Sequence, residues 1–243
     1  MSDGIERRQF LQSAGLAAAT AAATVAVMTT PPVQAQTSLN TGTKPMTYEI
    51  KPLPFDPKNI AGLSEKLLVS HHDNNYAGAV KRLNAITAEL AELDMAKAPV
   101  FMINGLKREE LIAMNSMILH ELYFDSLGGS GAPGGALAKA LVRDFGSIER
   151  WRNEFSAMGK AEGGGSGWVV LSYSPRDKRL VNQWSADHTT NLAGGRPILI
   201  LDMYEHAYHM DYGAKAGDYV EAFMNAIRWD NTAALFERYS RNT

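Results

Sequence analysis

The chain carries six histidines, at positions 71, 72, 120, 188, 206 and 209, and no cysteine. The missing thiols exclude disulfides, thiolate zinc sites and cysteine nucleophiles, leaving His, Asp and Glu as the metal-ligating types. Asp202 closes the apolar run Ile198-Leu199-Ile200-Leu201. A carboxylate in such surroundings must be paired, protonated or bound to a cation, because desolvating the bare charge is too costly. His206 follows Asp202 by four residues, His71 lies mid-helix between apolar positions, and His120 lies near the end of a second helical pattern. Taken singly, each is more often a hydrogen-bonded core or surface histidine than a ligand. Taken together with Asp202, they offer three imidazoles and one carboxylate, a borderline N/O set that suits iron, manganese or zinc and disfavours magnesium or calcium. Spacing does not choose among the three. A zinc protease would lack its H-E-x-x-H helix, and Ser166 fails as a hydrolase elbow because Trp168 stands where G-x-S-x-G needs glycine. A zinc-dependent hydrolase built on the same four groups remains the competing enzymatic reading.

The elements that must position these residues sit in a chain of 243 residues with 24 basic and 26 acidic side chains, a formal charge of -2 and 45% apolar content. This is one ordinary globular unit, or two small layers sharing a core. No run of Lys or Arg would track a nucleic-acid backbone or an anionic membrane, so nucleic acid is not an expected partner. Arg7-Arg8-Gln9-Phe10-Leu11 precedes a weakly apolar stretch from Ala14 to Met28 and the small-residue ending Val33-Gln34-Ala35. Residues 1–35 therefore read as a twin-arginine export signal, which predicts a periplasmic protein with no stable membrane partner after cleavage. The competing reading is a retained membrane anchor. Residues 36–45 read as a polar linker.

The two prolines of Tyr48-Glu49-Ile50-Lys51-Pro52-Leu53-Pro54-Phe55 predict an extended arm. Helical spacing predicts one helix from Ser64, a good N-cap, to about Leu93, and a second from about Lys107 to Leu122. The glycine-rich run 128–135 formally contains G-x-G-x-x-G, but it follows a helix where the dinucleotide fingerprint follows a strand, so it reads as a boundary. Beyond it the pattern predicts helices over 136–145 and 148–158, strands over 168–173, 180–184 and 196–201, and an amphipathic helix over 218–239. The expected fold class is α+β, an N-terminal helical hairpin (46–130) followed by an α/β metal-binding domain (131–243) with a small three-stranded antiparallel sheet and surrounding helices.

Asp202-Met203-Tyr204-Glu205-His206-Ala207-Tyr208 resembles D-x-W-E-H-A-Y, the signature of the iron/manganese superoxide dismutases. The Pro-Leu-Pro arm, Gly165-Ser166-Gly167-Trp168 and the ungapped register of His71 with Leu83-Asn84 extend the resemblance over about Tyr48 to Phe236. The resemblance implies metal ligands at His71, His120, Asp202 and His206, with His72 rejected by the register. It also implies one iron or manganese ion per subunit, superoxide as substrate, and a homodimer or tetramer. Trp168 and Phe124 match the family's aromatic wall, Tyr204 replaces the signature tryptophan, and Glu205 matches the carboxylate that reaches the other subunit's ligand histidine. The family usually places a glutamine in the shell around the metal, from one of two chain positions; here Ser116 occupies one and His188 falls on the other, and His188 is the expected counterpart. Two departures stand out: the family's gateway tyrosine falls on Ala79 and its partner histidine on Asn75, while the tyrosine across the dimer is His209. Tyr76 reaches the vacated place only if the helix bulges. A non-catalytic metal-binding protein on the same scaffold is the alternative that these departures keep in play.

Overall fold

The computed structural model describes residues 45–241. The export signal and all but the last residue of the linker lie outside them. Among the described residues no helix is long and apolar enough to cross a membrane.

The chain enters as an extended arm and begins α1 (Glu65–Ser70) at Ser64, whose hydroxyl accepts from Leu67 N at 3.1 Å. Asp211 grips the same serine by its amide and its hydroxyl, both at 2.7 Å, and so ties the cap to the far end of the sequence. The helix then widens into a π turn over His71–Tyr76 before resuming as α2 (Ala77–Glu92). Such turns are rare and occur chiefly at functional sites. Pro99, extended at the N-cap, launches α3 (Val100–Asp125), which returns along α2 to close the hairpin.

After the glycine run come α4 (Gly135–Phe145), stopped by Gly146 at φ 89°, and α5 (Ile148–Glu162), capped by Ser147. Strands β1 (Trp168–Ser174), β2 (Arg179–Ser185) and β3 (Arg196–Asp202) form one antiparallel sheet in the order β2-β1-β3. Central β1 is buried along its whole length. The chain closes with α6 (His209–Tyr212), α7 (Ala216–Asn225) and α8 (Trp229–Arg241). The α+β plan of a helical hairpin followed by a three-stranded antiparallel sheet within helices is the observed one.

A single apolar core joins Leu67, Leu68 and Leu83 of the hairpin to Val169–Leu171, Ile198–Leu201 and Phe223. Helix α3 packs directly on β3, which brings hairpin and sheet to a common seam.

Several helix boundaries differ from the sequence expectation, and α5 runs past 158 to Glu162. Helix α3 starts at Val100, not near 107, because its first turns carry Val100 and Phe101 outward, 82% and 75% exposed, so no amphipathic stripe marks them. The helix expected over 218–239 is two helices. Between them the backbone turns to pair with the end of the hairpin: Arg228 N donates to Ser126 O at 2.7 Å and Gly129 N to Ala226 O at 3.1 Å. A Cβ on Gly129 would lie 2.4 Å from Arg228 Cα, so glycine there permits a close backbone approach.

Candidate metal centre

His71 opens the π turn, His120 sits in the penultimate turn of α3, Asp202 is the last residue of β3, and His206 lies in the short 3-10 turn Glu205–Ala207 that follows. One ligand atom from each lies within 4.8 Å of all the others. Asp202 Oδ2 stands 3.1 Å from His71 Nε2, 3.3 Å from His206 Nε2 and 3.7 Å from His120 Nε2. His71, His120 and Asp202 are almost wholly buried. The four facing atoms, three Nε2 and Asp202 Oδ2, are buried and make no hydrogen bond. Groups of this kind cost roughly 1–3 kcal/mol each when orphaned, more if charged. Nitrogen and oxygen donors each about 2.0–2.2 Å from one ion stand about 3–3.7 Å apart at coordination angles of 90–120°, and the three distances from Asp202 Oδ2 to the imidazole nitrogens fall in that range. The residues fit a mononuclear transition-metal ion.

The local structure aims them. Asp202 Oδ1 accepts from Tyr204 N at 2.9 Å and the Asp202 carbonyl accepts from Tyr219 Oη at 2.7 Å, which fixes both ends of the residue and turns Oδ2 inward. His120 Nδ1 donates to the Ser116 carbonyl at 2.6 Å, so the proton sits there and Nε2 presents its lone pair. Burial lowers the pKa of His71, and burial with the neighbouring His71 takes His120 down to about 3, so both are neutral ligands. Burial alone would raise the Asp202 carboxyl; His206 and His71 overcome it and hold the group well below the usual range. An ionised carboxylate facing three imidazole nitrogens is a donor set suited to a cation.

An aromatic wall surrounds the cluster. Phe124 lies 5.1 Å from His71, and Trp168, fully buried, meets His120 edge-on at 5.2 Å. Tyr204 stacks on His206 at 5.3 Å and on His188 at 4.8 Å. His188 accepts a 3.0 Å hydrogen bond at Nδ1 from Trp168 Nε1, and its ring is 6.3 Å from that of His120.

The structure therefore gathers His71, His120, Asp202, His206, Trp168, Tyr204 and His188 around one point. Glu205 and His209 face outward and are exposed. His72 turns away, with its ring nitrogens 2.7 Å from Asp73 Oδ1 and 2.8 Å from the Lys51 carbonyl. The helix does bulge at Tyr76, but the hydroxyl there accepts from Lys51 N at 2.9 Å and donates to Glu121 Oε1 at 3.0 Å, so it is engaged with the arm. Three residues escaped the sequence reading. Asn115, whose amide donates to the His188 carbonyl at 2.6 Å, and Glu121 have partners 73 and 45 residues away. Glu162, a buried carboxyl, was hidden by the glycine run beside it.

Residues 133–235 match the family model for iron/manganese superoxide dismutases, C-terminal domain. The chain is 70% identical over 191 residues, 79% of this chain and 97% of the relative, to superoxide dismutase [Fe] of Cupriavidus metallidurans. It is 36% identical over 197 residues, 79% of this chain and 97% of the relative, to superoxide dismutase [Mn] 2 of Haloferax volcanii. With superoxide dismutase [Fe] of Aquifex pyrophilus it shares 35% over 190 residues, 75% of this chain and 88% of the relative.

Proposed function

The chain belongs to the iron/manganese superoxide dismutase family, and from that membership we propose that His71, His120, Asp202 and His206 hold one iron or manganese ion per subunit in an enzyme that converts superoxide to oxygen and hydrogen peroxide. The observation that carries the assignment is the convergence of four buried, unpartnered ligand atoms. Iron is the preferred ion, supported by the name of the 70% identical relative. When bound, the ion supplies a one-electron couple that accepts an electron from one superoxide and returns it to a second. The protein does the rest. Asp202 contributes a full negative charge that favours the higher oxidation state, and the wall of buried Trp168 and Phe124 with half-buried Tyr204 limits solvent access. His188 provides a polar hydrogen at the rim of this wall, in the place where the family carries glutamine.

Ala79 and Asn75 leave the substrate funnel without its usual hydroxyl and imidazole, and the Tyr76 hydroxyl is held by Lys51 and Glu121. Proton supply through that funnel is therefore rebuilt. Metal analysis of the purified protein, with pulse radiolysis of the loaded form, tests the reading. Superoxide consumption no faster than that of free metal would overturn the enzymatic assignment, and H120A or D202N should lose most of the bound metal.

Export and assembly belong to the same proposal. The Arg7-Arg8 motif supports twin-arginine export to the periplasm; replacing both arginines with lysine should leave the protein in the cytoplasmic fraction. Exposed Glu205, beside ligand His206, supports a homodimer in which each Glu205 meets the other subunit's ligand histidine. Light scattering should give a dimer or tetramer, and E205A should shift it toward monomer.

A further inference from the structure

The four donors are not supported alike. Asp202 is fixed at both ends by Tyr204 N and Tyr219 Oη, and His120 by the Ser116 carbonyl at its Nδ1. His71 has no such partner: both of its ring nitrogens are buried, and neither makes a hydrogen bond among the described residues. A ligating imidazole usually donates its second N–H to a carboxylate, carbonyl or water, which fixes the ring. Lacking that, His71 takes its place from the rings around it and from the backbone that carries it, which is the six-residue α1 leading into the π turn.

That backbone is tied to the far side of the cluster. Asp211 of α6 accepts from the Ser64 amide at Oδ2 and from the Ser64 hydroxyl at Oδ1, both at 2.7 Å. A carboxylate with two donors is a strong tie, and it holds the serine that starts α1. The Tyr212 hydroxyl donates to the Gly62 carbonyl just before it. Gly62 is in turn seated on α7, where a Cβ in its place would lie 2.9 Å from Ala222 Cβ. Both α1 and the π turn pack on the turn Glu205–Ala207 that carries His206. The two bonds, spanning 147 and 150 positions of sequence, therefore join the segment that leads into one ligand to the segment that leads out of another.

We propose that Asp211, seconded by Tyr212, is a positioning residue for the metal centre: its carboxylate, closed on Ser64, sets the distance of His71 from Asp202 and His206. The inference rests on the reading that these residues hold a metal, whose donors must stay within about 0.5 Å of the productive geometry. Of the two hairpin ligands the tie acts on His71, because His120 rides on α3, which packs directly on β3. Asp211 serves by its geometry and not by its charge. An asparagine at 211 keeps an oxygen for the Ser64 amide and offers its NH2 to the Ser64 hydroxyl, so D211N preserves the tie that D211A removes.

Full-length D211A, D211N, Y212F and S147A test it. The last removes a serine cap of the same kind from α5, a helix without a ligand, where the hydroxyl accepts from Arg150 N at 3.0 Å. Competition with a chelator, with cobalt(II) as the probe metal, should show affinity lowered about tenfold in D211A and about threefold in Y212F. D211N and S147A should match the unsubstituted protein. The visible bands of bound cobalt, which read the ligand geometry, should shift in D211A and stay in place in S147A, although both variants lower the urea midpoint. Crystals of metal-free D211A should show the spacing of His71 Nε2 and Asp202 Oδ2 changed from 3.1 Å, while His206 Nε2 keeps its 3.3 Å from the same oxygen. The proposal is overturned by D211A keeping affinity and bands, by S147A losing as much affinity as D211A, or by D211N losing as much, which would make the charge the agent. Should D211A fail to fold, Y212F against S147A decides it. A protein that binds no cobalt sinks the metal reading, and the metal-free spacing in D211A then decides the positioning role by itself.

Discussion

Glu162 is a buried acid that the metal centre does not use. Only 7% of it is exposed, and neither carboxyl oxygen has a hydrogen bond. Burial, joined by the charge of Asp202 and opposed by the Ser185 backbone, pushes its pKa up to about 7. The sign follows directly. Between pH 4.5 and 7 the unfolded chain has released this proton and the folded chain has kept it, so stability is greatest below the unfolded value and is lost as pH rises through 7. E162Q should remove that slope, flattening urea midpoints between pH 5 and 8 by an amount on the order of 2 kcal/mol. Gly167 is the matching constraint on the other side. Its φ is 155°, and a Cβ there would lie 2.8 Å from both Glu162 Oε2 and the Ser185 carbonyl. G167A should cost about 2–3 kcal/mol by chemical denaturation and should displace the adjoining Trp168.

The π turn at His71–Tyr76 is the element that sets hairpin and arm in register. Tyr76 closes it by joining the Lys51 amide to Glu121, the neighbour of His120. Y76F should cost about 1–2 kcal/mol, with faster hydrogen exchange at the Lys51 amide as the local readout. The legibility of the elements follows from their physics. Helix α2 announced itself through Val80, Leu83 and Ile86 at helical spacing, all buried, and Asp202 through a charge at the end of an apolar strand. The π turn did not, because one extra residue in a turn leaves no mark on an otherwise helical pattern. The break between α7 and α8 did not either, since its cause is backbone pairing with residues 126–129, about 100 positions earlier. Likewise His188 could be placed near the metal by resemblance, but its bond to Trp168 depends on a fold that brings β1 against the loop after β2. The four clustered residues were legible because two residue types, one burial anomaly and the family resemblance pointed to them; their supporting partners were not, because hydroxyls, amides and indoles occur everywhere.

Across the molecule, the cluster concentrates unmet polar demand in an apolar seam between α3 and β3. Filling it should stabilise the fold by mass action: at free metal a thousand times the dissociation constant, about 4 kcal/mol. Calorimetry of metal-free and loaded protein should show a rise in Tm of several degrees, abolished in D202N. The donors come from opposite ends of the folded chain. His71 and His120 belong to the hairpin, while Asp202 and His206 arrive only after the sheet is complete. No growing fragment that ends before residue 206 can chelate with all four, so the complete donor set exists only once the sheet and the turn after it have formed. Selection of the ion is thereby deferred to a finished shape, in whatever compartment that shape is first attained.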